Sequence, residues 1–121
     1  KVRILPVSEE LIKKASKMNP GVMSAVISPS TWKSLPEDTR MVSFGGVLAT
    51  TPELPEDVAY AVTKAIYENA EFVRNRGGAR LKDINLKFAT EYLMEAYPVH
   101  AGAAKYFKEK GVWRDDLKTT G

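Results

Sequence analysis

No cysteine occurs in the 121 residues, and histidine occurs once, as His100. The first absence excludes disulfides, thiolate nucleophiles and cysteine-based zinc sites, and leaves the redox compartment open. The second argues against a catalytic metal centre, because such a centre draws on several protein ligands and neither an H-x-x-x-H nor an H-x-E spacing is present. Long apolar runs are missing as well: nothing approaches the ~18 uninterrupted apolar residues of a membrane-spanning helix. No charged, apolar and small-residue series resembling a signal peptide opens the chain. A charge excess is lacking too, since 18 basic against 15 acidic residues leave only +3, too little to imply a nucleic-acid partner without clustering in space. Internal repeats, low-complexity tracts and flexible linkers are absent, so nothing divides the chain into independently tethered domains.

What is present suits a folded chain. Hydrophobic residues make up 44% of it, enough to bury a core at this length without covalent or metal staples. The chain opens on Lys1 rather than methionine while Val2 to Val7 already reads as a strand, so a further part upstream is expected. Ser8 caps a helix with Glu9 and Glu10 in its first turn, Leu11, Ile12, Ala15 and Met18 on its inward face, and Asn19-Pro20-Gly21 as its stop. Val22 to Ile27 reads as a strand, and Ser28-Pro29-Ser30-Thr31-Trp32 as a turn. Met41 to Thr50, nearly all apolar or small, predicts a strand covered on both faces, with Gly45-Gly46 as a bulge.

The second half is helical. Pro55 at a first helical position, Glu56 and Asp57 after it, and a stripe of Val58, Val62, Ala65, Ile66, Asn69 and Val73 predict one helix that ends before Gly77-Gly78. Asp83 or Asn85 caps another, with Leu86, Ala89, Leu93 and Ala96 inward, after which Tyr97-Pro98-Val99 is extended. The last helix runs from near His100 to Gly111, whose left-handed conformation lets Val112 and Trp113 fold back on Tyr106 or Phe107. Arg114 to Gly121 reads as a frayed polar tail.

His100 admits two roles, general base or backbone cap, and its place before Ala101-Gly102-Ala103 favours the cap. Arg74, Arg76, Arg80, Lys82 and Lys87 form a basic cluster that would serve a nucleic-acid-binding module, although cations near a helix C-terminus also answer its dipole. Neither glycine pair fits a phosphate loop, since one lies inside an apolar run and the other follows a helix. Tyr60 and Tyr67, seven apart, share a helix face and suit packing. Ser28 to Lys33 gathers hydroxyls, an indole and an ammonium at the end of a strand, where sheet loops form ligand crevices.

Three stretches resemble the TAXI family of solute receptors, the extracytoplasmic binding proteins of TRAP transporters. Pro55-Glu56-Asp57-Val58-Ala59-Tyr60 with Thr63 to Asn69 is similar to that family's helix beginning PEDVVY. Val99 to Ala103 and Lys105 to Gly111 are similar to its terminal LHPGA and RYYREKG, and Ile27 to Val42 more loosely to its IPAGTYKGQDEDVPTV segment. Ala101 replaces a proline, Phe107 a tyrosine and Trp32 a tyrosine, while Ser28-Pro29-Ser30 stands for Pro-Ala-Gly.

The resemblance implies an α/β chain that is the C-terminal portion of a class II periplasmic-binding-protein fold, with few strands and about four helices. Residues 1–40 would end one lobe and form the crossover; residues 41–121 would be the C-terminal part of the other. It implies an extracytoplasmic receptor without catalysis or cofactor that binds a small acidic or amino-acid-like solute in an interlobe cleft and docks on membrane permease subunits. Ser30, Thr31, Trp32, Lys33 and Arg40 are the ligand-binding residues expected here, with arginine suited to a carboxylate through its bidentate fork. An incomplete sheet leaves an edge at which a second copy can pair, so a homodimer is expected as well.

Overall fold

Ser8 begins the first regular element. The computed structural model describes residues 3–120, except the side chains of Ala79 and Arg80. Ser8 is extended, its Oγ accepts the Leu11 N–H at 3.2 Å, and α1 follows over Glu9–Met18. Asn19 closes it: its own N–H bonds the Ala15 carbonyl while its side-chain oxygen takes the Gly21 N–H at 3.0 Å. That turn delivers the chain into β1, Val22–Ile27, which pairs antiparallel with β2, Thr39–Phe44, in the register Val22↔Phe44 to Ile27↔Thr39. Side chains alternate across a pleated pair. Met23, Ala25, Ile27, Thr39, Met41 and Ser43 therefore form the covered face, and Ser24, Val26, Val42 and Phe44 the open one.

Three expectations fail in this part, for physical reasons. The strand over Val2 to Val7 does not form in its described portion: residues 3–7 have no regular structure, and Lys1 and Val2 lie outside the described residues. Pro6 has no N–H to offer a ladder, and among the described residues one backbone bond, Val7 N–H to the Arg40 carbonyl at 2.9 Å, ties the segment to β2. On α1 only Ile12 of the expected inward face is buried, while Leu11 and Met18 stay exposed. Of the two strands α1 meets chiefly β1, so only part of its apolar stripe is covered. The strand expected over Met41 to Thr50 is displaced: β2 starts at Thr39, ends at Phe44, and residues 45–50 are irregular. Gly45-Gly46 ends the ladder instead of bulging within it.

The chain divides into two compact units, Lys1–Gly46 and Val47–Gly121. The second holds α2, Glu56–Glu68, α3, Ala70–Gly77, and α4, Ala101–Glu109, with short 3-10 turns at Gly78–Leu81 and Leu86–Phe88. The single helix expected through Val73 is broken at Asn69, whose amide nitrogen and backbone N–H both reach the Ala65 carbonyl, at 2.8 and 3.2 Å. Asparagine competes in this way with the backbone it sits in. Nor is the stripe of Val58 and Val62 the inward face: each is 41% exposed, and the side of α2 that meets α4 carries Ala59, Tyr60 and Tyr67.

Gly102 makes that crossing close. A Cβ built on it would stand 2.1 Å from the Glu56 carbonyl oxygen and 2.7 Å from the Tyr60 nitrogen. Around the contact, Tyr106 is fully buried, edge-on to Tyr60 at 5.8 Å and stacked on Tyr67 at 6.2 Å, with Phe107 edge-on to Tyr67 at 5.5 Å. Ala89, Val99, Ala104 and Leu117 complete this core, and Val112 and Trp113 pack against it behind Gly111, at φ +69°. Burying one such aromatic contributes about 1.5–3 kcal/mol.

The helix expected from Leu86 to Ala96 reduces to the Leu86–Phe88 turn, capped by Asn85, one of the two expected caps, and followed by further turns in which Glu91, Leu93 and Tyr97 each bond three residues back. Arg114 supplies the reason. Its Nη1 donates to the Thr90 and Leu93 carbonyls at 2.9 and 3.3 Å, while Thr90 Oγ1 donates to the Val112 carbonyl at 2.8 Å. Carbonyls that a helix would use are thus taken by the tail. Nor does that tail fray: Leu117 is buried, and Val99 and Thr119 form a parallel bridge with N···O distances of 2.7 and 2.9 Å.

Candidate functional site

Ser28 to Lys33 leaves the end of β1 as a tight turn. Thr31 and Trp32 both donate their N–H to the Ser28 carbonyl at 3.0 Å, and Leu35, buried, returns to Trp32. Folding back this way gathers three hydroxyls: Ser28 Oγ lies 2.5 Å from Ser30 Oγ and 3.4 Å from Thr31 Oγ1. Such a knot can donate to and accept from one ligand group because each hydroxyl does both. Trp32, 48% exposed, stands beside it with its indole available for stacking, and Lys33 is exposed and makes no ion pair among the described residues. Four of the five expected ligand residues therefore share one turn.

Arg40, the fifth, is held elsewhere on the hairpin. It pairs with Val26 in the register, one position inside the strand ends that lead into and out of the 28–38 loop. Its Nη1 donates to Glu9 Oε2 at 2.8 Å, and Lys13 Nζ meets the other oxygen of the same carboxylate at 2.9 Å. Lys13 and then Arg40 hold the Glu9 carboxyl below the ordinary carboxylate range. Sequence reasoning assigned Glu9 only to the helix dipole; a contact across 31 residues leaves no trace in periodicity.

His100 is a fastener. Its Nδ1 accepts the Gly102 N–H at 3.2 Å, which places the ring proton on Nε2, and Nε2 donates to the Leu54 carbonyl at 2.9 Å. Both nitrogens are spent on backbone, leaving no lone pair for a proton transfer or a metal. Among the described residues no group of three or more histidine, aspartate or glutamate side chains is arranged to hold a metal ion.

The basic cluster is partly structural. Arg74 donates to the Ile84 carbonyl at 2.7 Å and Arg76 lies over the Phe72 ring at 4.8 Å, while the Arg80 side chain lies outside the described residues. Beside α4 an open groove of about 380 Å³ is walled by Glu56, Lys105, Lys108, Glu109 and the Thr119-Thr120 edge. Its charges answer one another, with Lys105 3.8 Å from Glu56, and Tyr60 donates to Glu109 at 2.7 Å. Bonding to Glu109, then burial, raises the Tyr60 phenol.

The turn at 28–33 exposes hydroxyls, an indole and a cation at one strand end, while His100 serves the backbone. The chain belongs to the NMT1-like family, whose model matches residues 1–111; this is a periplasmic-binding-protein-like family, generally non-catalytic and typically extracytoplasmic. The α/β fold of four α-helices and a two-stranded sheet is consistent with part of such a protein. No solved structure matches the chain. No helix among the described residues is long and apolar enough to cross a membrane.

Proposed function

We propose that this chain is part of a solute receptor of TRAP-type transport, of the TAXI kind, and that it binds a small acidic or amino-acid-like solute in a cleft between lobes. The observation that carries the reading is the turn at 28–33, where hydroxyls, indole and ammonium are clustered on one loop in a chain of the binding-protein family. Ser30 and Thr31 hydrogen-bond the polar end of the solute, Trp32 covers its body, and Lys33 and Arg40 answer its charge. The unit Lys1–Gly46, which keeps both strands of the hairpin together, contributes to one lobe and the unit Val47–Gly121 to the other, six residues later than the expected boundary; the partner is a membrane permease, and the free edge of the two-stranded sheet allows a second copy to pair.

Titration with L-glutamate, followed by the amide and indole resonances of residues 28–33, tests the site. Saturable shifts at Trp32 and Lys33, lost in Trp32→Ala, are expected, with weak affinity for a site built by one of its walls. A loop that does not respond to acidic solutes ends this reading, and micromolar calorimetric binding to the chain ends its assignment as one portion of a cleft.

A further inference from the structure

Arg40 does not stand alone on the open face of the hairpin. Val26 lies directly across the ladder and is 58% exposed, and Val42 lies two residues along the same strand, also exposed. Directly opposed residues and residues two apart share a face. A guanidinium, itself 39% exposed, is therefore flanked by two uncovered branched side chains. Glu9 occupies the guanidinium through one carboxylate oxygen, and its other oxygen is already bound by Lys13. If the Arg40 bond opens, the Glu9 charge still has a partner on its own helix, at the i,i+4 spacing that stabilises such pairs.

We propose that Glu9 is an internal competitor at Arg40, occupying the place of a solute carboxylate, and that the displacing solute is a monocarboxylate with an apolar body lying over Val26 and Val42. The inference deepens the receptor reading and rests on it, since it places a carboxylate subsite beside the 28–33 turn. A second carboxylate lying over Val26 and Val42, away from the Lys33 ammonium, would meet apolar side chains that cannot pair it, at a desolvation cost that an apolar body avoids. An exposed ion pair is weak enough to exchange, so the internal carboxylate tunes affinity and does not block binding.

The test compares the chain with Glu9→Gln and Glu10→Gln, titrated with benzoate, with glutarate and with chloride at constant ionic strength, observing the Arg40 Nε–H and Trp32 indole resonances. Glu10 makes no ion pair among the described residues, so its variant removes the same charge without touching Arg40. Glu9→Gln is expected to bind benzoate roughly two- to five-fold more tightly than the parent, the range an exposed pair supports, with Glu10→Gln unchanged and glutarate weaker than benzoate throughout. Equal tightening in both variants, or equal Arg40 shifts in all three proteins, overturns the competitor. Shifts at Trp32 without any at Arg40 also overturn it while leaving the receptor reading intact, and silence at both positions with every probe removes the two together.

Discussion

His100 and Leu54, 46 residues apart, are joined by a 2.9 Å hydrogen bond from Nε2 to the carbonyl oxygen. Because Nδ1 of the same ring caps α4 through Gly102, one side chain both starts a helix and pins the approach to α2. His100→Ala loses both and should cost about 1–3 kcal/mol in urea denaturation. His100→Asn keeps a cap but not the reach to Leu54, so it should fall between. An alanine variant as stable as the parent would show that neither bond matters.

Two glycines should respond to the same substitution for different reasons. Gly102→Ala places a methyl 2.1 Å from the Glu56 carbonyl, a backbone atom that moves only if α4 lifts from α2. A loss of about 2 kcal/mol or more is expected, with altered near-ultraviolet dichroism from the Tyr60–Tyr106 pair. Gly111→Ala has open space around it but φ +69°, so its cost of about 1–2 kcal/mol should leave the aromatic signal unchanged. Identical spectra for the two variants would contradict the crossing geometry.

Tyr106 places its hydroxyl in the core with no hydrogen-bond partner among the described residues. Burial, and next the nearby Glu68 charge, raise this phenol. Tyr106→Phe keeps the rings stacked and removes the unpaired group, so thermal stability should rise by about 1 kcal/mol. A fall in Tm would reveal a partner for the hydroxyl.

Arg114 should make stability depend on acid. Its guanidinium bonds Asp116 through Nε at 3.0 Å and again through Nη2, and these bonds hold the Asp116 carboxyl below its ordinary value. A carboxyl lowered on folding adds stability above its unfolded range, near pH 4, and that contribution is lost as pH falls through the lower folded value. Asp116→Asn should therefore flatten the stability profile between about pH 5 and pH 2. Arg114→Met, which also frees the Thr90 and Leu93 carbonyls, should cost about 1–2 kcal/mol even at pH 7. A parent profile already flat in acid would sink the pairing.

Local grammar was legible in the residues. Ser8, Asn19, Asn85, His100 and Gly111 each act where their chemistry placed them, because a cap or a stop is decided within a few positions. Long-range contacts were not. Nothing near Leu86 announces that Arg114 will claim the carbonyls of Thr90 and Leu93, and so a helical pattern became a series of turns. Asn69 has the spacing of the α2 stripe, yet its side chain competes for the Ala65 carbonyl and breaks the helix. Val58 and Val62 have the spacing of a buried face, yet the smaller Ala59 with the tyrosines allows the closer approach to α4, and spacing alone does not rank two such faces. At the candidate site, composition marked the 28–33 turn, but the Glu9–Arg40 bond required the hairpin to bring α1 and β2 together.

The bridge between Val99 and Thr119, with the Thr120 hydroxyl on the Ala101 nitrogen, encloses α4 in a ring closed over about 19 residues. Closing so short a span loses little chain entropy, whereas joining α2 to α4 must gather more than twice that length. Each doubling of a loop costs only about 0.6 kcal/mol, so the shorter ring has a modest lead: the carboxyl-terminal ring should gain amide protection in pulse-labelling no later than the aromatic crossing, and a crossing protected first would show that side-chain burial outweighs loop length.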